Sequence, residues 1–243
     1  MLNLPLNVDF TGKVVVITGA GGVLCSTMAR AFAQAGAKVA ALDLNEDAVK
    51  KLAEEVTAEG FTLKGYKANV LESESLEAVH QAVLADFGPC DILVNGAGGN
   101  NPRATTTNEY QSEAKPGDKT FFDLDQSGVD FVFKLNFQGT LVPTQVFAKD
   151  MVEKHTGSIL NISSMSAIRG IPDPVNNNGI YTATKFAING FTECMQKYLL
   201  KYGIRVTALC PGSTATSWWT RWTHSFGTDA MLPVDTLADI AEL

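Results

Sequence analysis

The fold is decided by the stretch Val14-Val15-Val16-Ile17-Thr18-Gly19-Ala20-Gly21-Gly22 near the start of the chain. Its first four residues form a continuous apolar run that is too short for a helix and ends at Thr18-Gly19. Such a run predicts a buried strand. Residues 24–35 favour a helix, and Gly36 stands where a helix often ends. The stretch therefore predicts a strand, a glycine-rich turn and a helix in succession.

The same alternation of strands and helices continues along the chain. Further strands are predicted at 38–44, 63–68, 91–95, 158–162 and 205–210, and further helices at 45–59, 73–87, 125–154 and 181–202. Such an order gives right-handed crossovers and an α/β fold, in which a doubly wound parallel sheet lies between two layers of helices. Because no repeat or linker divides the sequence, we expect a single domain over residues 1–243.

Composition and charge exclude several classes of protein. The chain has 243 residues, of which 45% are hydrophobic and 19% charged, as in water-soluble globular proteins. A net charge of −7 argues against a nucleic-acid partner, and no apolar run is long enough to span a membrane. The isolated cysteines and histidines show no metal-ligand spacing, so no metal is predicted. Without a secretory signal at its start, the chain is expected to be cytoplasmic.

The glycine-rich turn has the features of a dinucleotide-binding site. Gly19, Gly21 and Gly22 allow a tight turn that brings backbone N–H groups close to a pyrophosphate at the start of a helix. Asp43 ends the second predicted strand, where a carboxylate accepts hydrogen bonds from an adenosine ribose and repels a 2′-phosphate. The pair predicts NAD, rather than NADP, as the cofactor.

Small residues also follow the fourth predicted strand. Asn95-Gly96-Ala97-Gly98 would let a flat ring or a ribose approach the edge of the sheet, although an ordinary glycine-rich turn explains this segment equally well. The regular pattern then breaks at about 99–119, which contains Pro102 and Pro116 and is predicted to be a long loop. Loops of this length are usually functional or mobile.

Tyr181 and Lys185 are the candidate catalytic pair. Residues four apart lie on one face of a helix, so the Lys185 ammonium can approach the Tyr181 hydroxyl. A phenol with a pKa of about 10 is a poor acid or base at neutral pH, but a neighbouring cation lowers that pKa and makes proton exchange practical. Upstream, the fifth predicted strand ends at Ser163-Ser164, whose hydroxyls could hold a substrate oxygen.

Together these features resemble the short-chain dehydrogenase/reductase family. The residues that carry the resemblance span nearly the whole chain: Thr18-Gly19, Asp43, Asn69-Val70, Asn95-Gly96-Ala97-Gly98, Asn136, Ser163-Ser164, Tyr181, Lys185 and Pro211-Gly212. The family implies a Rossmann-type single domain, a nicotinamide cofactor and a catalytic group made of serine, tyrosine, lysine and asparagine.

The resemblance also implies individual roles. Ser164 would orient the substrate, Tyr181 would be the acid/base, Lys185 would modulate Tyr181 and bind the nicotinamide ribose, and Asn136 would hold the water of a proton relay. Asn69 stands where the family often has an aspartate against adenine. The implied cofactor-binding residues are Gly19, Gly21, Gly22, Val23, Leu24, Asp43, Leu44, Asn69, Val70, Asn95, Gly96, Ala97, Tyr181, Lys185, Pro211 and Gly212.

Two features depart from the family pattern. Val23 and Cys25 occupy the positions of the last two glycines of the family's turn, so the pyrophosphate contact is altered unless Gly21 or Gly22 substitutes in a shifted turn. The separation between Ser164 and Tyr181 is also longer than usual, which predicts an enlarged loop over 169–179 beside the substrate.

Within the family, residues 98–103, the Thr-rich insertion that follows and the sequence Gly-Gly-Val-Leu-Cys resemble a subgroup of D-mannonate oxidoreductases. The resemblance implies interconversion of D-mannonate and D-fructuronate. A sugar acid needs a cation for its carboxylate, for which Arg103 and Arg169 are candidates, and polar partners such as Asn101 for its hydroxyls. Solvated loop residues remain an equally open interpretation of all three. Further candidate polar partners are Asn100 and Asn176 to Asn178. An apolar face of the sugar could pack on Trp218, Trp219 or Trp222, although these tryptophans could instead cover the core or a subunit contact.

The functional hypothesis is therefore NAD-dependent oxidation of a secondary alcohol on a sugar acid, and the reverse reduction. Two alternatives stay open: a ketoreductase for another substrate, such as a gluconate-type sugar acid or a 3-oxoacyl group, and a catalytically idle nucleotide-binding scaffold. Helices around 131–151 and 181–202 resemble the paired dimer helices of the family, so a homodimer or homotetramer is expected.

The end of the chain suggests an incomplete sheet. The family's seventh strand has no counterpart in this sequence, which stops at Leu243 within a predicted helix at 236–242. We therefore expect six strands, with the sixth at an edge, and either a truncated C-terminus or the absence of the contacts that build the family's tetramer.

Overall fold

The computed structural model describes residues 8–107, 114–168, 178–212 and 214. Its strands are β1 (Val14–Thr18), β2 (Lys38–Asp43), β3 (Leu63–Lys67), β4 (Ile92–Asn95), β5 (Gly157–Ile162) and β6 (Ile204–Leu209). Its α-helices are α1 (Val23–Gln34), α2 (Glu46–Ala58), α3 (Ser73–Asp86), α4 (Gln126–Phe133), α5 (Gly139–Lys154) and α6 (Gly179–Leu199). Short 3₁₀ helices lie at Pro102–Ala104, Phe121–Asp123, Met165–Ala167 and Leu200–Tyr202.

The strands form one parallel sheet in the order β3-β2-β1-β4-β5-β6. This confirms the predicted doubly wound fold. The strand order reverses between β1 and β4, where ligands of such sheets bind beyond the carboxyl ends of the strands. In the described part of the chain β6 is an edge strand, as predicted. The expectations for a helix at 236–242 and for a missing seventh strand lie outside the described residues.

Strand β1 is buried along its whole length because helices cover both faces of the sheet. Val14 and Val16 pack in a core with side chains of α3 and α5, whereas Val15 and Ile17 pack in a second core with side chains of α1 and α2. This two-sided burial explains why the sequence of β1 is continuously apolar rather than alternating.

The predicted helix at 125–154 is two α-helices joined by a π-helical segment, Lys134–Gln138. The Asp125 carboxylate caps α4 by accepting hydrogen bonds from the N–H groups of Ser127 and Gly128. Asn136 lies in the π segment and is fully buried. Because π segments are frequent at functional sites, this interruption points to the environment of Asn136.

None of the described helices combines the length and apolar character that crossing a membrane requires. No cluster of three or more side chains suited to holding a metal ion occurs in the described ranges.

Candidate active site

The turns that follow β1 and β4 pack directly against each other. The Thr18 hydroxyl accepts hydrogen bonds from the N–H groups of Gly96 and Ala97, at 3.1 and 3.2 Å. Gly19 has a φ of +70°, and a Cβ at this position would lie 2.8 Å from the backbone nitrogen of Ala97. Only glycine meets both demands, so the first glycine of the predicted turn is required by its own conformation and by its neighbour.

Asp43 lies beside this turn at the end of β2. Its Oδ2 accepts a hydrogen bond from the Gly21 N–H at 2.9 Å, and its Oδ1 accepts one from the Asn45 N–H at 2.8 Å. Helix α1 begins after Gly22 without a side-chain cap, which leaves its first turn open to an anion. The uncapped start of α1 fits the pyrophosphate of a dinucleotide. The fixed carboxylate at the end of β2 fits its ribose.

The structure shows how the turn accommodates the two residues that depart from the family pattern. Val23 is the first residue of α1 and is 40% exposed, whereas the Cys25 side chain points into the protein and is 3% exposed. A Cβ on residue 96 would overlap the Cys25 sulfur, so the thiol occupies space that Gly96 leaves free. Burial raises the pKa of Cys25 to about 12, which keeps the thiol neutral.

This contact predicts that Gly96→Ala is destabilising. The added methyl group would collide with the Cys25 sulfur and lie 2.9 Å from the Thr18 carbonyl oxygen. We expect a loss of about 1–3 kcal/mol in the free energy of unfolding, measured by urea denaturation. Adding Cys25→Gly should restore part of this loss. Gly190→Ala on α6 is the matched control, since nothing lies within 4 Å of its added Cβ. Equal losses in the two single variants would contradict the proposed contact.

The side chain of Asn95 forms hydrogen bonds inside the protein. The residue is 2% exposed, and its Nδ2 donates hydrogen bonds to Thr144 Oγ1 and Asn161 Oδ1, both at 2.9 Å. Within the described residues its Oδ1 accepts no hydrogen bond. A ligand at this edge would therefore meet the backbone of Gly96 and Ala97 rather than the Asn95 amide.

The residues predicted to bind the adenine end of the cofactor follow strands β2 and β3. Leu44 is 64% exposed directly after Asp43 and offers an apolar surface. The Asn69 amide closes the turn before α3, because it donates to Glu72 Oε1 at 2.8 Å and accepts from the Leu71 N–H at 3.1 Å. Val70 is buried, and a Cβ on Gly139 would lie 3.1 Å from Val70 Cγ2.

Asn136 holds the loop after β4 in place. Its Oδ1 accepts a hydrogen bond from the Gly99 N–H at 2.8 Å, and its Nδ2 donates to the Gly99 carbonyl at 3.0 Å and to Thr184 Oγ1 at 2.9 Å. Its own carbonyl accepts a hydrogen bond from the Thr140 hydroxyl at 3.0 Å. Both the side-chain amide and the backbone carbonyl of Asn136 thus have partners within the protein.

Lys185 is buried at the centre of the site. It is 5% exposed, and its ammonium donates a hydrogen bond to the Ile162 carbonyl at 2.8 Å. The ammonium lies 5.5 Å from the centroid of the Tyr181 ring. Burial lowers the pKa of Lys185 to about 8, while the nearby thiols of Cys25 and Cys210 oppose that shift.

Tyr181 lies beside Ser164, which follows β5. Burial raises the pKa of the Tyr181 phenol, and a hydrogen bond with the Ser164 hydroxyl opposes that rise. Ser164 also accepts a hydrogen bond from the Ser166 N–H at 3.1 Å, which fixes its hydroxyl. The lowering of the phenol pKa that was expected from Lys185 does not prevail over the effect of burial in this arrangement.

The sequence matches the family model of the short chain dehydrogenases over residues 13–225. The chain belongs to this family. An uncharacterized oxidoreductase of Haemophilus influenzae is 49% identical over 212 residues, which cover 87% of this chain and 73% of the relative. The uncharacterized oxidoreductase UxuB of Bacillus subtilis is 42% identical over 209 residues, covering 86% of this chain and 73% of that protein.

A solved crystal structure closely matches the fold of this short-chain dehydrogenase. It is the crystal structure, with bound NAD, of a Haemophilus influenzae protein that has been proposed to be a D-mannonate oxidoreductase. The TM-score is 0.90 at 42% identity, and the match covers 97% of this chain and 89% of the other. The resemblance to the family that the motifs predicted is confirmed.

The residues predicted to bind the substrate are held by local contacts. Asn101 caps the 3₁₀ helix Pro102–Ala104 by accepting a hydrogen bond from the Arg103 N–H at 2.9 Å. The exposed Arg103 guanidinium donates to Ser127 Oγ at 3.4 Å. Asn100 donates to Asn178 Oδ1 at 2.8 Å and so links the long loop to the start of α6. Arg169, Asn176, Asn177, Trp218, Trp219 and Trp222 lie outside the described residues.

Pro211 and Gly212 lie close to the end of β5. The Pro211 carbonyl accepts a hydrogen bond from the Met165 N–H at 2.8 Å, and a Cβ on Gly212 would lie 3.9 Å from Met165 Sδ. Since Met165 directly follows Ser164, this segment of the short-chain dehydrogenase lies next to the serine that was predicted to orient the substrate.

Two residues of the site are absent from the sequence predictions. Gly99 and Thr184 are the partners of the Asn136 amide. Thr184 stands inside the Tyr181–Lys185 motif, so its proximity to the site could have been inferred from the helical repeat. Its contact with Asn136, 48 positions earlier in the chain, carries no local signal in one sequence.

Proposed function

We propose that this short-chain dehydrogenase interconverts a secondary alcohol and a ketone on a sugar acid with NAD, and that the pair is D-mannonate and D-fructuronate. One observation carries the proposal: Ser164, Tyr181, Lys185 and Asn136 are gathered beyond the carboxyl ends of β4 and β5, beside the turn held by Asp43. The NAD-bound relative, at 42% identity, supports both the cofactor and the substrate class.

The preference for NAD rests on the position of Asp43. Both of its oxygens accept backbone hydrogen bonds, which hold the carboxylate at the end of β2. A fixed negative charge here can accept hydrogen bonds from ribose hydroxyls and would repel the 2′-phosphate of NADP.

The proposed mechanism assigns the proton to Tyr181. In the oxidation, the phenolate of Tyr181 takes the proton of the substrate hydroxyl, and in the reduction the phenol returns it. When bound, NAD would accept the hydride from the carbon that bears this hydroxyl, and NADH would return a hydride to that carbon. Ser164 donates a hydrogen bond to the substrate oxygen and holds it beside the phenol. The buried Lys185 stabilises the phenolate that forms in the transition state, since charges interact strongly away from water.

Recognition of the sugar acid is assigned to the loops around this edge. We propose Arg103 or Arg169 as the cation for the substrate carboxylate and Asn101 as a partner for a hydroxyl. Both residues lie in the loop that continues from Gly98-Gly99. There the Arg103 guanidinium is exposed, and Asn101 caps a short helix. A planar guanidinium suits bidentate binding of a carboxylate.

Steady-state assays test the proposal. The purified protein should reduce fructuronate with NADH and oxidise mannonate with NAD, and kcat/KM should favour NADH over NADPH about tenfold or more, equal to about 1.4 kcal/mol. A gluconate-type keto acid and a 3-oxoacyl thioester serve as comparison substrates. Turnover confined to one of these would sink the substrate assignment, and NAD binding in calorimetry without turnover of any of these substrates would favour the idle nucleotide-binding scaffold.

We also propose that the protein is a homodimer or homotetramer of the cytoplasm. Helices α5 and α6 form a groove whose apolar lining suits a second copy of the chain. Its apolar residues are Leu141, Ala148, Val152, Phe191, Met195 and Leu199. The four cysteines are free thiols, which supports a reducing compartment.

A further inference from the structure

Helix α6 carries two buried threonines whose hydroxyls make matching contacts. Thr184 and Thr192 are eight residues apart and therefore lie on the same side of the helix. Their exposures are 0% and 3%. Each hydroxyl donates to a carbonyl of its own helix, Thr184 to Tyr181 at 2.7 Å and Thr192 to Ile188 at 2.8 Å. Each also accepts a hydrogen bond from an asparagine amide at 2.9 Å.

The two asparagines belong to different parts of the molecule. Thr192 accepts from Asn161 of β5, whose own Oδ1 accepts from Asn95 of β4, so this contact ties α6 to the body of the sheet. Thr184 instead accepts from Asn136 in the π segment. The Asn136 amide also accepts a hydrogen bond from the Gly99 N–H and donates one to the Gly99 carbonyl. Thr184 therefore joins three elements at the catalytic end of α6.

The space around this contact leaves little tolerance for movement. A Cβ on Gly98 would lie 2.9 Å from Asn136 Oδ1 and 3.6 Å from Lys185 Nζ. The loop after β4 thus runs between the Asn136 amide and the catalytic ammonium. A rotation of the Asn136 side chain would displace this loop, and the loop borders Lys185.

We propose that Thr184 is a positioning residue of the catalytic group, whose hydroxyl fixes the Tyr181–Lys185 turn against Asn136 and the loop at Gly98-Gly99. The proposal rests on the role proposed for Tyr181 and Lys185. A threonine or serine can accept from Asn136 and donate to the Tyr181 carbonyl at the same time. Valine has nearly the same shape but would leave a buried N–H of Asn136 without a partner, which a folded protein relieves by moving the amide.

The kinetic test compares Thr184→Val, Thr184→Ser and the matched control Thr192→Val. We expect Thr184→Val to lower kcat roughly ten- to hundredfold, because small displacements of catalytic groups are costly, with little change in KM or in the Kd for NADH. Thr184→Ser should retain most of kcat. Thr192→Val loses an equivalent buried hydroxyl, so it should lower the melting temperature to a similar extent and keep kcat.

A second measurement does not depend on the substrate. Hydrogen exchange of the Gly99 amide, followed by NMR, should be faster in Thr184→Val than in the wild type and unchanged in Thr192→Val, because only Thr184 supports Asn136. If the wild type fails to turn over fructuronate, the proposed function fails while the exchange result still decides the role of Thr184. Unchanged kcat and exchange in Thr184→Val, or equal kcat losses in the two valine variants, would overturn the proposal.

Discussion

Replacing Tyr181 by phenylalanine is expected to lower kcat in both directions by about 10²–10⁴-fold, the contribution typical of a positioned acid or base. The substitution removes the hydroxyl that hydrogen-bonds with Ser164 and keeps the ring that lies 5.5 Å from the Lys185 ammonium. Because the packing of the ring is retained, the Kd for NADH and the melting temperature should change little.

The control for this variant is Tyr198→Phe on the same helix. Tyr198 is 63% exposed, so loss of its hydroxyl should leave kcat unchanged. Stopped-flow and steady-state measurements of NADH absorbance give kcat for each protein. If Tyr181→Phe kept near-full turnover, the proton would have to move through another group, and the assigned mechanism would be refuted.

Lys185→Met is expected to combine a large loss of activity with an unusual change in stability. Removing the ammonium takes away the positive charge beside the phenolate, for which we expect a fall in kcat of about 10²–10³-fold. The same ammonium is costly to the fold, since burial lowers the pKa of Lys185 from 10.5 to about 8. Methionine fills a similar volume without that charge.

The sign of the pH dependence follows from the direction of this shift. Between pH 8 and 10.5, the unfolded chain keeps a proton on Lys185 that the folded chain has released. The unfolded state then binds more protons, so stability rises with pH across this window. The free energy of unfolding of the wild type should therefore gain about 3 kcal/mol relative to Lys185→Met between pH 7 and 10.5.

Urea denaturation of both proteins at several pH values measures this difference. Lys197→Met is the control, because Lys197 is exposed on the same helix and its replacement measures the general effect of removing one lysine charge. A constant difference between the wild type and Lys185→Met would show that the folded protein holds this lysine at its ordinary pKa.

The sheet and the principal motifs could be predicted because their signals are local. The apolar run at 14–17 reports burial of β1 on both faces, and the spacing from Tyr181 to Lys185 reports one face of a helix. The π segment at 134–138 was not predicted, because the wider turn hardly changes the apolar pattern over the helix 125–154. The segment contains Asn136, whose hydrogen-bond partners lie on other elements and leave no local signal in the sequence.

The remaining differences arise from contacts between distant parts of the chain. The sequence indicated that Cys25 alters the turn, but the space that accepts its sulfur is provided by Gly96, 71 positions later in the numbering. Likewise, Asn95 ends β4 at the predicted cofactor edge, and nothing in the sequence indicated that its amide binds Thr144 and Asn161 inside the protein. A strand end specifies where a residue lies, whereas its neighbours decide which way the side chain turns.

The fit between Cys25 and Gly96 also constrains how this sequence can change over evolutionary time. A side chain larger than hydrogen at position 96 is blocked while the thiol is present, yet a change from cysteine to glycine at position 25 meets no such obstacle. The Thr18 carbonyl oxygen would still lie 2.9 Å from a Cβ at position 96, so a change at position 25 removes only one of the two obstacles. Position 96 is therefore held as glycine by two neighbours, whereas position 25 is the freer of the two to change, even where the ligand makes no demand on either.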